Sequence, residues 1–347
     1  KNFNHLKIHT QYSICEGAVK IDELKEFSKE KKIKSIAICD TLNLCGALEF
    51  SEKISKIGTQ PIIGSQINFK VGDTCGLLPV FALNEKGYKR IIQLSSKLYL
   101  DHNDENQPQL DFSELLKLND GISLFSGTIN GLFGNLFNKG KFSEIEKLYK
   151  NLKENYNDRF YIEVQRHGDQ NELGFEKFNL NQSNNLEIPL IATNEVYYID
   201  KNMHEAHDAL ICIGQKTYVN EKNRAKFSPE HYLKNDYEMS ELFSDIPEAL
   251  ENNFNFPLRC SYRPLFSNPI LPNISSDKGG NADEILKKDS IEGLKVKFNK
   301  IFNLSDEDLE NNNSYREYKN RLNHELSIIV EMKYSSYFLI VADYIKW

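Results

Sequence analysis

Ile33-Lys34-Ser35-Ile36-Ala37-Ile38-Cys39-Asp40-Thr41 is an apolar run that stops on a carboxylate and a hydroxyl. Its length is that of a strand, and its nearly unbroken apolarity marks one buried on both faces. The helical pattern of Leu44 to Ile57 follows at once. A buried strand with a polar end, feeding an amphipathic helix, is one β/α unit.

The same unit recurs outward from this stretch. Leu6 to His9 is a first strand, followed by Ile21, Leu24 and Phe27 at helical spacing. Downstream, Pro61 to Phe69, Leu77 to Leu83, Gly121 to Phe125, Arg159 to Gln165 and Ile188 to Ala192 continue the strand series, with amphipathic helices between them. Strands alternating with helices imply parallel pairing through helical crossovers. No GxGxxG opens the first helix and no GxxxxGK[ST] occurs, so a closed barrel is favoured over a nucleotide-binding open sheet. The expectation is an α/β chain whose residues 1–265 form a distorted, seven-stranded TIM-like β/α barrel.

In such a barrel the chemistry sits at the carboxyl ends of the strands. Those ends carry His9-Thr10, Asp40-Thr41, Gly64-Ser65-Gln66, Ser126-Gly127-Thr128, Gln165-Arg166-His167 and Asn194-Glu195-Val196-Tyr197. His9, Asp40, Gln66, Thr128 and Glu195 are expected on one rim. His9, Glu16, Asp40, His167 and Glu195 are the residues of metal-ligating type there. Of His5 and His9, one is expected buried and the other in a loop. His204 and His207, three apart, read as a solvated or capping pair, and HExxH is absent. Tyr197-Tyr198 and Phe160-Tyr161 read as strand and core residues. No GxSxG occurs and no cysteine lies in the setting of an activated thiolate.

The chain has 347 residues, 43 basic against 50 acidic, for a net charge of −7. A broad grip on a nucleic-acid backbone needs a basic excess, which is missing. None of the six cysteines forms a CxxC pair, so neither a zinc finger nor a disulfide framework is indicated. No apolar stretch approaches 18 residues, and the amino terminus lacks a charged-then-apolar signal pattern. A reduced, cytoplasmic protein without membrane association is expected.

Beyond about residue 265 the character changes. Pro264, Pro269 and Pro272 precede the stretch Ser275 to Gly280, which reads as a linker. The remainder is helical, with Tyr318, Leu322, Leu326, Ile329 and Val330 as a stripe and a strongly apolar run from Tyr337 to Trp347.

Taken in order, His5-Leu6-Lys7-Ile8-His9-Thr10 with Glu16-Gly17, Asp40 to Gly46, Pro61 to Gly64, Asn84 to Tyr88, Ala192 to Val196 and Phe243 to Ala249 resemble the motifs of the polymerase-and-histidinol-phosphatase (PHP) domain of bacterial C-family replicative polymerases, the polymerase III alpha subunits. Tyr337 to Trp347 is similar to the helix leading into the palm of that family. The resemblance spans essentially the whole chain. It implies a PHP domain over 1–265 and, over 266–347, a linker with the mostly helical, truncated start of a palm.

Metal-binding PHP domains begin with HxH, where this chain has Lys7. Their second motif carries a His at the place of Thr41. Gln66, Leu77, Thr128 and Tyr197 likewise replace ligand-type residues, which leaves His9, Glu16 and Glu195. A fixed ammonium at Lys7 opposes a cation at close range. The resemblance therefore implies a vestigial cleft of Lys7, His9, Glu16, Asp40, Thr41, Gln66, Thr128, Glu195 and Tyr197, with no catalytic residue and no metal in this chain. It further implies template-directed DNA synthesis by the parent protein, whose magnesium-binding aspartates would follow Trp347. DNA and nucleoside triphosphates would be met by those missing parts. A proofreading exonuclease subunit and other replicase subunits are the expected partners, and this portion would be a scaffold for them. The competing reading is an independent metal-dependent PHP phosphoesterase or exonuclease.

Overall fold

The structure, a computed structural model, describes residues 2–101, 107–270 and 281–347. Pro272 and the linker read at Ser275 to Gly280 lie outside the described residues. The chain divides into two compact units, Lys1–Phe266 and Ser267–Trp347.

The strands of the first unit are β1 (Lys7–Ile8), β2 (Ser35–Thr41), β3 (Gln60–Val71), β4 (Thr74–Ala82), β5 (Leu110–Asp111), β6 (Ile122–Phe125), β7 (Phe160–Val164), β8 (Leu190–Ala192) and β9 (Glu195–Val196). Six follow one another in the order β2-β3-β4-β6-β7-β8, with β5 added beside β3. β1 and β9 form a parallel ribbon, Lys7 opposite Glu195 and Ile8 opposite Val196. The ribbon joins the two outer strands of the sheet. On one side the Ala37 amide of β2 donates to the His5 carbonyl at 2.9 Å. On the other, β8 runs into β9 through Thr193 and Asn194. With β8 and β9 taken as one interrupted strand, seven strands surround a common interior.

Pairing is not parallel throughout, as strand–helix alternation suggested. β4 runs antiparallel to both β3 and β6. Only Gly72 and Asp73 separate β3 from β4, too few residues for a crossover helix. Gly72, at φ +58, takes the left-handed conformation that the tight turn requires.

Side-chain alternation sorts the strand residues into two cores. Ile36 and Ile38 of β2 point outward and pack with Leu24 of the helix Ile21–Glu30 and with Phe50 and Ile54 of the helix Ala47–Ser55. Ala37 and Cys39 point inward, against Ile62, Phe81, Phe125, Tyr161 and Ile191. Phe256 completes that interior, edge-on to Phe125 at 5.1 Å, one of several aromatic pairs worth about 0.5–1.5 kcal/mol each beyond their buried area. Phe160, Tyr161, Tyr197 and Tyr198 are all buried.

The second unit contains the helices Ala282–Phe302, Asp306–Leu309, Asn313–Glu331 and Ser335–Lys346. Leu286, Leu326 and Leu339 form one small core, with Leu322 and Ile329 packed against it, and Phe298, Leu309 and Tyr315 form a second. Tyr318, read as part of the apolar stripe, is 60% exposed and meets Phe298 edge-on. Tyr344, Ile345 and Trp347 are also exposed.

Candidate functional site: a cleft around Lys7, His9 and Glu195

The alternation that points Ala37 and Cys39 inward also fixes the site. Tyr161 belongs to the interior, so Glu163, two residues on, faces inward too; Ile162 and Val164 face the outer helices. Ile8 and Val196 likewise pack outward, which turns Lys7, His9, Glu195 and Tyr197 into the barrel. Lys7 bridges two buried carboxylates, with Nζ 3.3 Å from Glu163 Oε1 and 3.5 Å from Glu195 Oε1. Glu195 Oε1 also meets His9 Nε2 at 2.9 Å and accepts from Gln66 Nε2, which itself lies 3.0 Å from His9 Nε2. The other ring nitrogen, His9 Nδ1, is 3.3 Å from Thr41 Oγ1. Tyr197 stacks on the His9 ring at 4.5 Å.

Charges balance within this cluster. Burial alone would lift the Glu195 carboxyl, but Lys7 and His9 hold it well below the usual range. Burial opposes a charged Lys7, yet Glu163 and Glu195 keep its ammonium above its ordinary value. Burial opposes a charged His9 as well. The bond to Glu195 and the carboxylates of Glu16 and Asp40 outweigh it and raise the ring. A charged imidazole suits the contacts to Glu195 and Thr41, with Nε2 and Nδ1 donating. It leaves Gln66 Nε2 a second donor to the same Glu195 oxygen and not a hydrogen-bond partner of the ring. Glu163 is pushed up by burial despite Lys7. Its Oε1 accepts from Gln165 Nε2 at 3.0 Å and from Thr193 Oγ1.

Asp40 has the opposite strand parity and does not join His9 directly. It accepts from the Thr10 amide and hydroxyl at 2.7 and 2.8 Å and from Ser13 Oγ at 2.7 Å, and so anchors the loop after β1. That loop carries Glu16 over the mouth. Glu16, Gln66, Leu77, Thr128, Glu195 and Tyr197 line a cleft of about 430 Å³, together with Asp169 and His231.

Several sequence expectations are corrected here. His5 and His9 are both buried; His5 Nε2 bonds the Lys234 carbonyl at 2.8 Å. His207 is not solvated but buried, and its Nε2 bonds the Glu16 carbonyl at 2.8 Å. His204 bonds the Phe227 carbonyl at 3.0 Å. His167 is drawn away from His9: it stacks flat on His231 at 4.1 Å, and its Nε2 faces Asn194 Oδ1 at 3.1 Å. Sequence reading missed Glu163, Asp169 and His231. Glu163 was recoverable from strand parity; Asp169 and His231 lie in loops without periodicity.

Residues 5–167 match the PHP domain family. Residues 284–347 match the family described as the bacterial DNA polymerase III alpha NTPase domain. This chain matches the PHP region of bacterial DNA polymerase III alpha subunits. The alpha subunit of Caulobacter vibrioides is 35% identical over 100% of this chain, and that of Rickettsia conorii 35% identical over 99%. The chain spans 30% and 29% of the lengths of these polymerase III relatives. Among solved structures, a putative metal-dependent phosphoesterase from Bifidobacterium adolescentis is 11% identical, with 70% of this chain and 95% of that one covered at a TM-score of 0.38.

A centre of several metal ions needs several anionic or imidazole side chains converging on one cleft. The residues present do not fit that arrangement. Lys7 puts an ammonium 3.5 Å from Glu195 Oε1, and His9, Gln66 and Glu195 are engaged with one another. Among the described residues, no group of three or more His, Cys, Asp or Glu side chains could hold a metal ion. No described helix is long and apolar enough to cross a membrane.

Proposed function

We propose that this chain is the N-terminal portion of a replicative DNA polymerase alpha subunit, in which the PHP barrel is a metal-free scaffold. In this reading residues 1–265 support the palm and dock a proofreading exonuclease, and residues 266–347 lead into the palm. Template-directed DNA synthesis belongs to the parent protein in the cytoplasm, with magnesium and the catalytic aspartates in its palm. The observation that carries the reading is Lys7, whose ammonium neutralises Glu163 and Glu195 where bound cations would otherwise be needed. An ion pair of this kind, closed by hydrogen bonds, holds a buried cluster together without a metal. The surrounding cleft residues Glu16, Asp40, Thr41, Gln66, Thr128 and Tyr197 then serve the barrel and not catalysis.

The test is elemental analysis after dialysis against chelator, paired with a nuclease assay in manganese. Less than about 0.1 metal per chain and no nuclease activity is expected, because each missing ligand lowers affinity. About one retained metal per chain, with activity lost on His9→Ala, would replace the scaffold with a phosphoesterase.

A further inference from the structure

His231 is turned so that Nδ1 meets the Glu195 carbonyl at 3.0 Å. A carbonyl only accepts, so Nδ1 carries the proton. Burial keeps the ring neutral, its pKa down at about 4. Nε2 is then a bare lone pair. His231 lines the cleft, is 3% exposed, and its Nε2 has no hydrogen-bond partner. A buried acceptor without a donor costs about 1–3 kcal/mol.

The wall around it is negative. Glu195 is answered by Lys7 and His9. Asp169 takes a hydrogen bond from Asn130 Nδ2 at 2.9 Å, and neither it nor Glu16 has an ion-pair partner among the described residues. The three carboxylates converge on Tyr197: burial first, then Glu195, Glu16 and Asp169, push its hydroxyl well up. Lys226 is the positively charged residue among the described lining, and it is exposed at the rim. Tyr197 and Phe227 add aromatic faces, the latter edge-on to His231 at 5.5 Å.

We propose that this cleft binds an organic cation rich in N–H donors, an alkylammonium or guanidinium group, donating to His231 Nε2 with its charge toward Glu16 and Asp169. Such a group satisfies the lone pair, neutralises the wall and gains from the aromatic faces. The ligand class is the reverse of a phosphate ester, and the assignment holds whether or not the chain belongs to a polymerase. A basic side chain of a partner protein and a free polyamine share this chemistry.

Isothermal titration of the full chain with arginine methyl ester, spermidine and inorganic phosphate tests it. Saturable binding of a cation is expected with Kd on the order of 1 mM or tighter. The isosteric double variant Glu16→Gln/Asp169→Asn, which removes no contact of Lys7 with Glu163 and Glu195, should weaken it about tenfold or more. Tighter binding of the ester assigns a partner's side chain, and tighter binding of spermidine a polyamine. No saturation by either cation, equal affinity in the double variant, or phosphate binding more tightly than both overturns the proposal.

Discussion

Lys7 Nζ lies 3.3 Å from Glu163 Oε1, with both side chains shut off from solvent. The pair links the first strand to β7 through the middle of the barrel, and Glu195 shares the same ammonium. Removing one partner of a buried pair strands the other charge in a poor solvent. Lys7→Met is therefore expected to destabilise the first unit by about 3–5 kcal/mol in chemical denaturation. Adding Glu163→Gln should restore a large part of that loss. A single variant within about 1 kcal/mol of the parent would mean that the pair is not charged.

His9 titrates with one sign. Its folded pKa is raised, burial being outweighed by Glu195, Glu16 and Asp40. The stabilisation is full below the unfolded value of about 6.5 and is lost as pH rises through the folded value. An imidazole titration followed by NMR should place His9 above the unfolded value, and Glu195→Gln should bring it down. An unchanged midpoint in that variant would remove Glu195 as the cause.

The opposite sign belongs to four other rings, one of them His207, which burial holds below its ordinary value. Burial holds His5 and His231 down at about 4. Burial, then His231 and Lys234, hold His167 well below its ordinary value. The unfolded chain binds more protons than the folded one between about pH 4 and 6.5, so stability falls as pH falls through that window. The slope is at most roughly 1.4 kcal/mol per pH unit per ring. Denaturation midpoints measured from pH 7 to 5 should decline, and less steeply in His5→Gln. A flat profile would show that the rings gain protons without cost.

Arg166 clamps three segments. It donates from Nε and Nη2 to Glu176 at 2.9 and 2.6 Å, from Nη1 and Nη2 to Asp245 at 2.7 and 2.9 Å, and from Nη1 to the Leu242 carbonyl at 2.6 Å. Lysine cannot reproduce that planar fork. Arg166→Lys should cost about 1.5–3 kcal/mol, mostly through the buried Glu176, since Asp245 is exposed to screening solvent. Amide exchange in the helix Pro247–Asn255 should quicken. Exchange there at the parent rate would show that the turn is held by other contacts.

Gly17 has no room for a side chain. A Cβ there would lie 2.2 Å from the Thr10 carbonyl oxygen and 2.6 Å from that of His9, both backbone atoms. Gly17→Ala should cost about 1–3 kcal/mol and move the His9 ring signals, because the loop cannot shift without the strand end. Parent-like stability and unmoved signals would place the slack elsewhere.

Strand ends were legible where buried runs stop as polar residues begin. Asp40 sits at such a stop in β2, and Glu195 follows the end of β8 by three residues, whereas Gln66 lies mid-strand in β3. The hairpin between β3 and β4 was written in Gly72 and Asp73, yet the prevailing strand–helix rhythm masked it. Glu163 was hidden for a different reason. Inside an apolar strand a single carboxylate looks like an exposed position, and only the inward direction of Tyr161 shows that it is not. His231 and Asp169 belong to loops, whose placement depends on contacts with distant segments and leaves no period in the sequence.

The β1–β9 ribbon sets an order of events during synthesis. Lys7 and Ile8 leave the ribosome about 190 positions before Glu195 and Val196. At elongation rates of roughly 5–20 residues per second, the first strand waits on the order of ten seconds or more for its partner. Asn4 waits longer still, for the side chain of Asn253. Until then the barrel is an open sheet with two unpaired edges, the state most prone to pairing with a neighbour's strand. The separation of these partners along the chain thus sets how long each edge must be kept from the wrong company.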